Sequence, residues 1–154
     1  MIPPYKHREP IQIRFCDTDS LGHVNNSNYL SYMELARIGY IDKVFGNSIN
    51  WSADGVILAK AVVDFKLPVM LHDKLFVYIR TSRLGIKSFD IEYLFVREVN
   101  GKDEVVSSGS TVMVAYNYAN NKTIEILPEW RKRIEEFEAP LPTSPPRGEE
   151  QRAI

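Results

Sequence analysis

The longest hydrophobic pattern lies early in the chain, between residues 29 and 45. Apolar side chains fill most positions of this stretch and recur around the whole helical circumference. A run of about 18 residues without a breaker is too long for a strand, and at 1.5 Å per residue it gives a helix of about 27 Å. The pattern predicts one long helix that is buried on all sides.

Alternating apolar and polar residues predict strands in much of the remaining chain. One strand is predicted over residues 10–16, with Ile11, Ile13 and Phe15 on the same face. Four more follow the helix, around residues 60–67, 74–80, 88–96 and 104–118. Their short connections, among them Asn100-Gly101, favour antiparallel hairpins. These elements predict an α+β architecture in which a five-stranded antiparallel sheet wraps around the long helix.

The C-terminal part of the chain changes in composition. A short amphipathic helix is predicted from the spacing of Trp130, Ile134 and Phe137. Beyond it, four prolines and very few apolar residues predict a disordered tail. We expect a single domain over residues 1–138 and a Pro-rich tail over residues 139–154.

The predicted strands carry apolar residues on their second face as well. These outward positions are Val62, Phe76, Tyr78, Leu94 and Val96. Apolar groups on both faces of a sheet usually indicate a second layer, and another copy of the same chain is the simplest one. We therefore expect a homodimer or a homotetramer.

Composition excludes several classes of protein. The chain has 154 residues, and its 19 basic and 20 acidic residues give a net charge of −1, which does not favour nucleic-acid binding. A single cysteine, Cys16, and three scattered histidines lack the spacing of a metal or redox site, so no metal or cofactor is expected. No apolar run is long enough for a membrane helix, and the N-terminus lacks a signal peptide. A cytoplasmic location without membrane attachment is the expectation.

Candidate chemistry is concentrated between the first predicted strand and the long helix. Asp17, Asp19, His23 and Asn26 lie within ten residues there. A helix N-terminus presents free N–H groups that can stabilise an oxyanion, and a nearby carboxylate can act as nucleophile or general base. Aspartates and asparagines before a helix are also common caps and turn formers. Residue chemistry alone leaves both interpretations open.

The whole segment resembles the signature of the 4-hydroxybenzoyl-CoA thioesterase family. The resemblance lies in the stretch from Phe15 to Asn26 and in the residues that follow it, Tyr29, Tyr32, Glu34, Ala36 and Arg37. It extends over roughly residues 8–137. It implies the hotdog fold, a long helix wrapped by an antiparallel sheet, and hydrolysis of an acyl thioester of CoA or acyl carrier protein. In relatives the site lies between two subunits.

The resemblance also implies individual roles within this segment. The catalytic carboxylate corresponds to Asp19, and Asp17 corresponds to a supporting position. The backbone N–H that polarises the thioester carbonyl corresponds to Asn26. Substrate contacts are expected from other members of the same motif: Gly22, His23 and Tyr29.

A second segment resembles the position that contacts the phosphates of CoA. Lys87, followed by Ser88, matches that position. Some relatives have two arginines just before it, whereas this chain has Gly85 and Ile86. We therefore expect CoA anchoring on this solvated turn either to be weaker than in those relatives or to be shared with Arg83.

Two other functions stay open at this level. Hotdog hydratases and dehydratases resemble one another in an Asp and a His five residues apart, whereas Asp19 and His23 are four apart. A non-catalytic acyl-CoA-binding hotdog protein is the other alternative, and the presence of Asp19 argues against it.

Overall fold

The computed structural model describes residues 1–140, so residues 141–154 of the predicted tail lie outside the described part. The described residues form two helices and six strands, with a 3-10 turn at Phe15–Asp17. In chain order they are β1 (His7–Ile11), α1 (Asn28–Phe45), β2 (Asp54–Phe65), β3 (Lys74–Leu84), β4 (Ser88–Val99), β5 (Lys102–Asn117), β6 (Lys122–Thr123) and α2 (Pro128–Glu138).

The strands form one antiparallel sheet against which the long helix packs. Its strand order is β1-β3-β4-β5-β2, and β6 pairs with β5. The turn between β4 and β5 is Asn100-Gly101, with φ of 52° and 73°, the backbone of a two-residue hairpin. The predicted α+β architecture is confirmed. The sheet has one strand more than expected because the two-residue β6 has no hydrophobic alternation to reveal it.

The N-terminal strand ends earlier than its alternation predicts. β1 ends at Ile11, and the chain then forms the 3-10 turn instead of continuing in the sheet. Phe15, predicted on the inner face of the strand, is 82% exposed. The Asp17 carboxylate accepts hydrogen bonds from the backbone and side chain of Arg14, and these local bonds compete with a strand ladder. The strand predicted over residues 10–16 is therefore confirmed at Pro10 and Ile11, which belong to β1, and wrong for residues 12–16.

Helix α1 has the predicted length but is not buried on all sides. Its buried side chains recur with helical spacing at Tyr29, Tyr32, Met33, Ala36, Tyr40, Val44 and Phe45. The other face of the helix exposes Leu30, Leu35 and Ile38. Complete burial is therefore wrong for the single chain, because a sheet covers only one face of a helix.

The N-terminal segment covers side chains that the sequence predicted to be uncovered. The ring of Tyr78 packs edge-to-face on Tyr5, with the centroids 5.9 Å apart. The Tyr78 hydroxyl accepts from Arg8 at 3.3 Å and donates to Asp103 at 3.2 Å. The Arg8 guanidinium lies 4.2 Å from the centre of the Phe76 ring. Tyr78 is buried and Phe76 half-buried, so neither is an open apolar patch.

Contacts within the chain divide it into two compact units. The first unit comprises Met1–Tyr40, Val62–Arg80 and Tyr93–Gly109. Its core contains Tyr29, whose ring lies 4.9 Å from that of Phe65, edge-to-face, and 5.3 Å from that of Phe95. This unit contains the segment in which the sequence concentrates candidate chemistry.

The second unit comprises Ile41–Ala61, Thr81–Glu92 and the described residues from Ser110 onward. Its core contains Phe45 and Trp130, packed edge-to-face with centroids 6.2 Å apart. The predicted C-terminal helix is confirmed as α2, which buries Trp130 and Ile134. Neither helix of residues 1–140 is long and apolar enough to span a membrane. The single-domain organisation stays a prediction.

Candidate active site

The chain between the 3-10 turn and α1 forms a closed loop, residues 17–26, which we name the acid loop. The backbone carbonyl of Asp17 accepts the N–H of Asn25 and the side-chain amide of Asn28, each at 2.8 Å. These two bonds fasten the beginning of the loop to the beginning of α1. The polar residues before the helix therefore do close the turn, and in doing so they fix the residues between them.

Asp19 lies exposed in the acid loop with its backbone and one side-chain oxygen fixed. Its N–H donates to the carbonyl of His23 at 2.8 Å, and its carbonyl accepts the N–H of Gly22 at 3.0 Å. Gly22 has a φ of 77°, which glycine adopts without strain. The Asp19 Oδ1 accepts the Leu21 N–H at 2.9 Å. Within residues 1–140 the Oδ2 atom has no hydrogen-bond partner, so one oxygen orients the carboxylate and the other is free.

Asp19 lines a cavity of about 350 Å³. The acid loop, α1, the end of β2 and the residues that follow β2 contribute its other lining residues, Leu21, His23, Val24, Asn26, Tyr29, Phe65, Lys66, Leu67 and Pro68. The backbone N–H of Asn26 donates to no acceptor in the described part of the chain. Asp19, with a free carboxylate oxygen, and Asn26, with a free N–H just before α1, therefore line one cavity, and acyl transfer requires groups of these two kinds.

One wall of this cavity comes from a segment that the sequence motif does not contain. Residues 66–73, which we name the wall segment, follow β2. The carbonyl of Val69 accepts the Val24 N–H at 2.7 Å, and Met70 pairs with His23 in an isolated antiparallel bridge. The wall segment is about forty residues from the acid loop in sequence. Its short irregular pattern gives no signal by which sequence reasoning could have found it.

Asp17 has surroundings opposite to those of Asp19. It is 1% exposed, and its carboxylate accepts the Arg14 backbone N–H at 3.0 Å, Arg14 Nε and Nη2 at 3.2 and 2.9 Å, and the Tyr32 hydroxyl at 2.8 Å. Burial acts to raise the pKa of Asp17, but these hydrogen bonds and the Arg14 charge outweigh it and hold the pKa below its ordinary value. Burial and the bond to Asp17 raise the pKa of Tyr32. Asp17 is therefore an ionised anchor: its carboxylate oxygens are occupied by the hydrogen bonds from Arg14 and Tyr32 that hold this part of the fold together.

A second and larger cavity, of about 590 Å³, lies on the Asp17 side of the acid loop. Besides Asp17 it is lined by the exposed face of α1, including Glu34, Leu35 and Ile38. The buried carboxylate in its lining is the one already engaged by Arg14 and Tyr32. Among the described residues no group of three or more His, Cys, Asp or Glu side chains is arranged to hold a metal ion. Glu34 is exposed and has no hydrogen-bond or ion-pair partner in residues 1–140, so neither volume nor a free carboxylate alone distinguishes the two cavities.

The turn between β3 and β4 differs from the predicted solvated phosphate site. Arg83 is 4% exposed, and its Nε and Nη2 bind the two carboxylate oxygens of Asp90, each at 3.2 Å. Its Nη2 also donates to Ser88 Oγ at 3.1 Å, and Ser88 is buried. Solvent exposure of Arg83 and Ser88 is thus a wrong expectation, because Asp90 on the adjacent strand compensates the arginine charge inside the protein. Lys87 is exposed, and its ammonium has no ion-pair partner in residues 1–140.

Comparison with known proteins defines the class to which this fold and cavity belong. The structure of a thioesterase complexed with coenzyme A and Zn from Thermus thermophilus matches with a TM-score of 0.76 and 34% identity, over 89% of this chain and 97% of that one. The long helix on an antiparallel sheet is the hotdog fold. The sequence profile of the thioesterase-like superfamily matches residues 13–134, and the chain belongs to that superfamily.

Two curated relatives extend the comparison. The protein YsmA of Bacillus subtilis (strain 168) is 30% identical over 124 residues, which cover 80% of this chain and 82% of YsmA. The long-chain acyl-CoA thioesterase FadM of Escherichia coli (strain K12) is 24% identical over 130 residues, 82% of this chain and 96% of FadM. The relatives include acyl-CoA thioesterases. Membership of the narrower 4-hydroxybenzoyl-CoA thioesterase family stays a prediction.

Proposed function

We propose that this protein hydrolyses an acyl-CoA thioester to a free acid and CoA, with Asp19 as the catalytic carboxylate. The observation that carries the proposal is that Asp19, with its free Oδ2, and Asn26, with its free N–H, line one cavity of the described chain. Membership of the thioesterase-like superfamily supports the same chemistry. Asp17, although buried nearby, does not suit this role because its bonding capacity serves the fold.

The two groups have complementary tasks in the proposed reaction. The Asn26 N–H binds the thioester carbonyl oxygen and stabilises the negative charge that develops there. As a nucleophile, Asp19 adds to the carbonyl carbon, the C–S bond breaks, CoA thiolate leaves, and water cleaves the resulting anhydride. As a general base, Asp19 instead takes a proton from the water that attacks the carbonyl. Both routes end in the carboxylic acid and the thiol of CoA.

The remaining lining supports an acyl substrate. Leu21, Val24 and Leu67 give the cavity an apolar surface on which a hydrocarbon or aromatic acyl group can be buried. The buried ring of Tyr29 packs against the rings of Phe65 and Phe95, so this part of the cavity lining is rigid. His23 and Gly22 shape the acid loop through the backbone bonds to Asp19. These positions select the acyl group rather than perform the chemistry.

We assign the anchoring of the CoA phosphates to Lys87 rather than to Arg83. An exposed ammonium without an ion-pair partner in the described chain can bind phosphate without first losing another contact. The Arg83 side chain is committed to Asp90 and Ser88, so it shapes the turn that presents Lys87. This role for Arg83 and Ser88 is indirect.

We also propose that the active protein is a homodimer or larger homo-oligomer formed through the edge of the sheet. β2 lies at one end of the strand order and is twelve residues long. Leu58 and Val62 on this strand are exposed, by 45% and 41%. A long apolar edge strand is a hazard in a monomer and a natural place for pairing with a second copy. Light scattering that shows a monomer at micromolar concentration would contradict this assembly.

A panel of acyl-CoA substrates tests the proposed function. Acetyl-, hexanoyl-, palmitoyl- and benzoyl-CoA are supplied separately, and both the free thiol and the acyl product are measured. Hydrolysis releases thiol and acid in equal amounts, as we expect for at least one member. A hydratase or dehydratase, assayed with enoyl- and 3-hydroxyacyl-CoA, changes the acyl chain without releasing thiol. Binding without any turnover would identify a non-catalytic acyl-CoA protein.

A further inference from the structure

The wall segment is closed on itself at its C-terminal end. The N–H of Asp73 donates to the Met70 carbonyl at 3.1 Å, and the Asp73 carboxylate accepts the Met70 N–H at 2.8 Å. Pro68, which lines the cavity, has no N–H with which to join the sheet. Its N-terminal end is held to β5, where the Lys66 and Leu67 N–H groups both donate to the Val106 carbonyl at 3.0 Å. The part from Pro68 to Asp73 therefore needs a further attachment to the sheet if it is to form a fixed wall.

Arg97 on β4 supplies this attachment. Its Nη1 donates to the Pro68 carbonyl at 3.1 Å and to the Asp73 carboxylate at 3.3 Å, so one guanidinium holds two points of the wall segment. Its Nε donates to the Glu104 carboxylate at 2.7 Å. Residues 97 and 104 lie opposite each other across the two-residue hairpin turn. The bond to Glu104 within the sheet therefore orients the guanidinium that holds the wall segment. The planar fork suits three acceptors in fixed directions.

The wall segment in turn contacts the acid loop. Val69 is fully buried, and its carbonyl accepts the Val24 N–H at 2.7 Å. Met70 pairs with His23, whose carbonyl holds the Asp19 N–H. A continuous series of hydrogen bonds therefore connects Arg97 to the loop that carries the proposed catalytic carboxylate. Displacement of the wall segment would therefore change the width of the cavity more than the position of Asp19, which is held by bonds within the acid loop.

We infer that Arg97 is a positioning residue. Its hydrogen bonds hold the wall segment to the sheet and thereby set the acyl selectivity of the cavity. The inference rests on the proposed function for the identity of the substrate. Arg97 acts on the cavity through the wall segment. It holds Pro68 by the backbone and Asp73 by the carboxylate, and so fixes the wall opposite Asp19.

The test compares Arg97→Gln with the unaltered protein on acetyl-, hexanoyl- and palmitoyl-CoA. Loosening the wall should lower kcat/KM for the preferred substrate, mainly through KM, and should reduce its preference over the other two by about tenfold, the size of effect that small changes in an apolar pocket produce. Lys74→Ala is the matched control, since it removes the pair of the exposed Lys74 on β3 with Glu98 on β4 (3.5 Å), next to Arg97 in sequence, and leaves the Arg97 bonds to Pro68 and Asp73 in place. Asp73→Asn weakens the bond from Arg97 while keeping an acceptor for the Met70 N–H. It should shift selectivity in the same direction as Arg97→Gln, but by a smaller factor.

Hydrogen exchange gives a second readout that needs no turnover. The Val24 amide should exchange faster in Arg97→Gln, while the Asn25 amide, bonded within the acid loop to Asp17, should keep its protection. Folded Arg97→Gln with unchanged selectivity and unchanged Val24 exchange would overturn the inference. If the unaltered protein hydrolyses no acyl-CoA, the proposed function fails. The exchange result alone then decides whether Arg97 holds the wall.

Discussion

The acid loop and the turn between β3 and β4 share one arrangement, in which an ion pair holds the backbone near an exposed charged residue. They differ in the surroundings of that exposed residue. Each is held by an ion pair with a buried carboxylate: Arg14, itself exposed, pairs with Asp17 at 2.9 Å, and the buried Arg83 pairs with Asp90 at 3.2 Å. Each also has an exposed charged residue nearby, Asp19 in the loop and Lys87 in the turn, that has no ion-pair partner in the described chain. In both regions the ion pair holds the backbone, and the exposed residue remains available to a ligand.

The difference lies in the surroundings of the exposed group. Asp19 lines a cavity together with Asn26, whose N–H is free in the described chain, so a carboxylate and a hydrogen-bond donor can act on one substrate. Lys87 extends from an exposed turn, where a charge attracts a phosphate but does not polarise a bond. We therefore expect loss of Asp19 to affect kcat, and loss of Lys87 to affect KM.

Replacing the free carboxylate should have the largest effect on turnover. Asp19→Asn keeps an oxygen that can accept the Leu21 N–H, so the acid loop should fold normally. It removes the negative charge that attacks the carbonyl or activates water, and kcat for acyl-CoA hydrolysis should fall by about 10²–10⁴-fold. Steady-state kinetics and a thermal melt on the same sample measure the two effects.

The matched control is Asp42→Asn, an exposed carboxylate on α1 that lies outside both cavities. Its activity should equal that of the unaltered protein. Normal hydrolysis by folded Asp19→Asn would remove Asp19 from the mechanism. A larger loss of turnover in Asp17→Asn, with its fold intact, would mean that the two aspartates have been assigned the wrong way round.

Replacing the buried carboxylate should instead affect stability. Asp17→Asn weakens charge-assisted hydrogen bonds from Arg14 and Tyr32, at a cost of about 2 kcal/mol in the free energy of unfolding at pH 7. The pKa of Asp17 is lower in the folded than in the unfolded protein, so its ionised form stabilises the fold above about pH 4. This contribution is lost as the pH falls through the folded pKa.

Urea denaturation of both proteins between pH 7 and pH 3 checks this prediction. The stability of the unaltered protein should fall on acidification and approach that of Asp17→Asn at the acid end. A constant difference across the range would show that Asp17 acts by packing rather than by charge. Asp19→Asn serves as the comparison, since its carboxylate accepts one hydrogen bond from within the described chain, against the four that Asp17 accepts from Arg14 and Tyr32.

The contrast between the two regions also shows how far the sequence could predict the site. The long helix, the antiparallel sheet and the hairpin at Asn100-Gly101 follow from periodicity and turn chemistry, and the structure confirms them. The resemblance assigned different roles to the two aspartates, but the sequence did not predict the hydrogen bonds and burial that anchor Asp17 and leave Asp19 exposed. Local pattern carries no such three-dimensional information.

Long-range pairing explains the failures as well. Arg83 looked solvated because the turn around it is polar, whereas Asp90, seven residues later, neutralises it in the interior. The wall segment was missed because its link to the acid loop joins Val24 with Val69, far apart in sequence. Both depend on which strands and loops become neighbours, and alternation along one strand does not encode that.

Removing a single bond to the anchor should have an intermediate effect. Tyr32→Phe deletes the hydroxyl that donates to Asp17 at 2.8 Å and leaves the three bonds from Arg14. We expect a loss of about 1–2 kcal/mol in unfolding free energy, measured by urea denaturation, with kcat changed less than about twofold. A large fall in kcat at unchanged stability would place Tyr32 in the chemistry and weaken the division between anchor and reactive group.

The smallest effect should come from the exposed cation of the turn. Lys87→Ala removes a solvated charge, and an exposed charge pair contributes at most about 1 kcal/mol, so KM for acyl-CoA should rise about two- to fivefold with kcat unchanged. The rise should shrink as salt is added, because the Debye length is about 8 Å at physiological ionic strength. Acyl-pantetheine, which lacks the nucleotide, should be insensitive to the change, and Lys122→Ala, an exposed lysine of the same unit, should leave both substrates unaffected. An equal rise in KM for acyl-CoA and acyl-pantetheine would show that Lys87 shapes the turn and that the phosphates bind elsewhere.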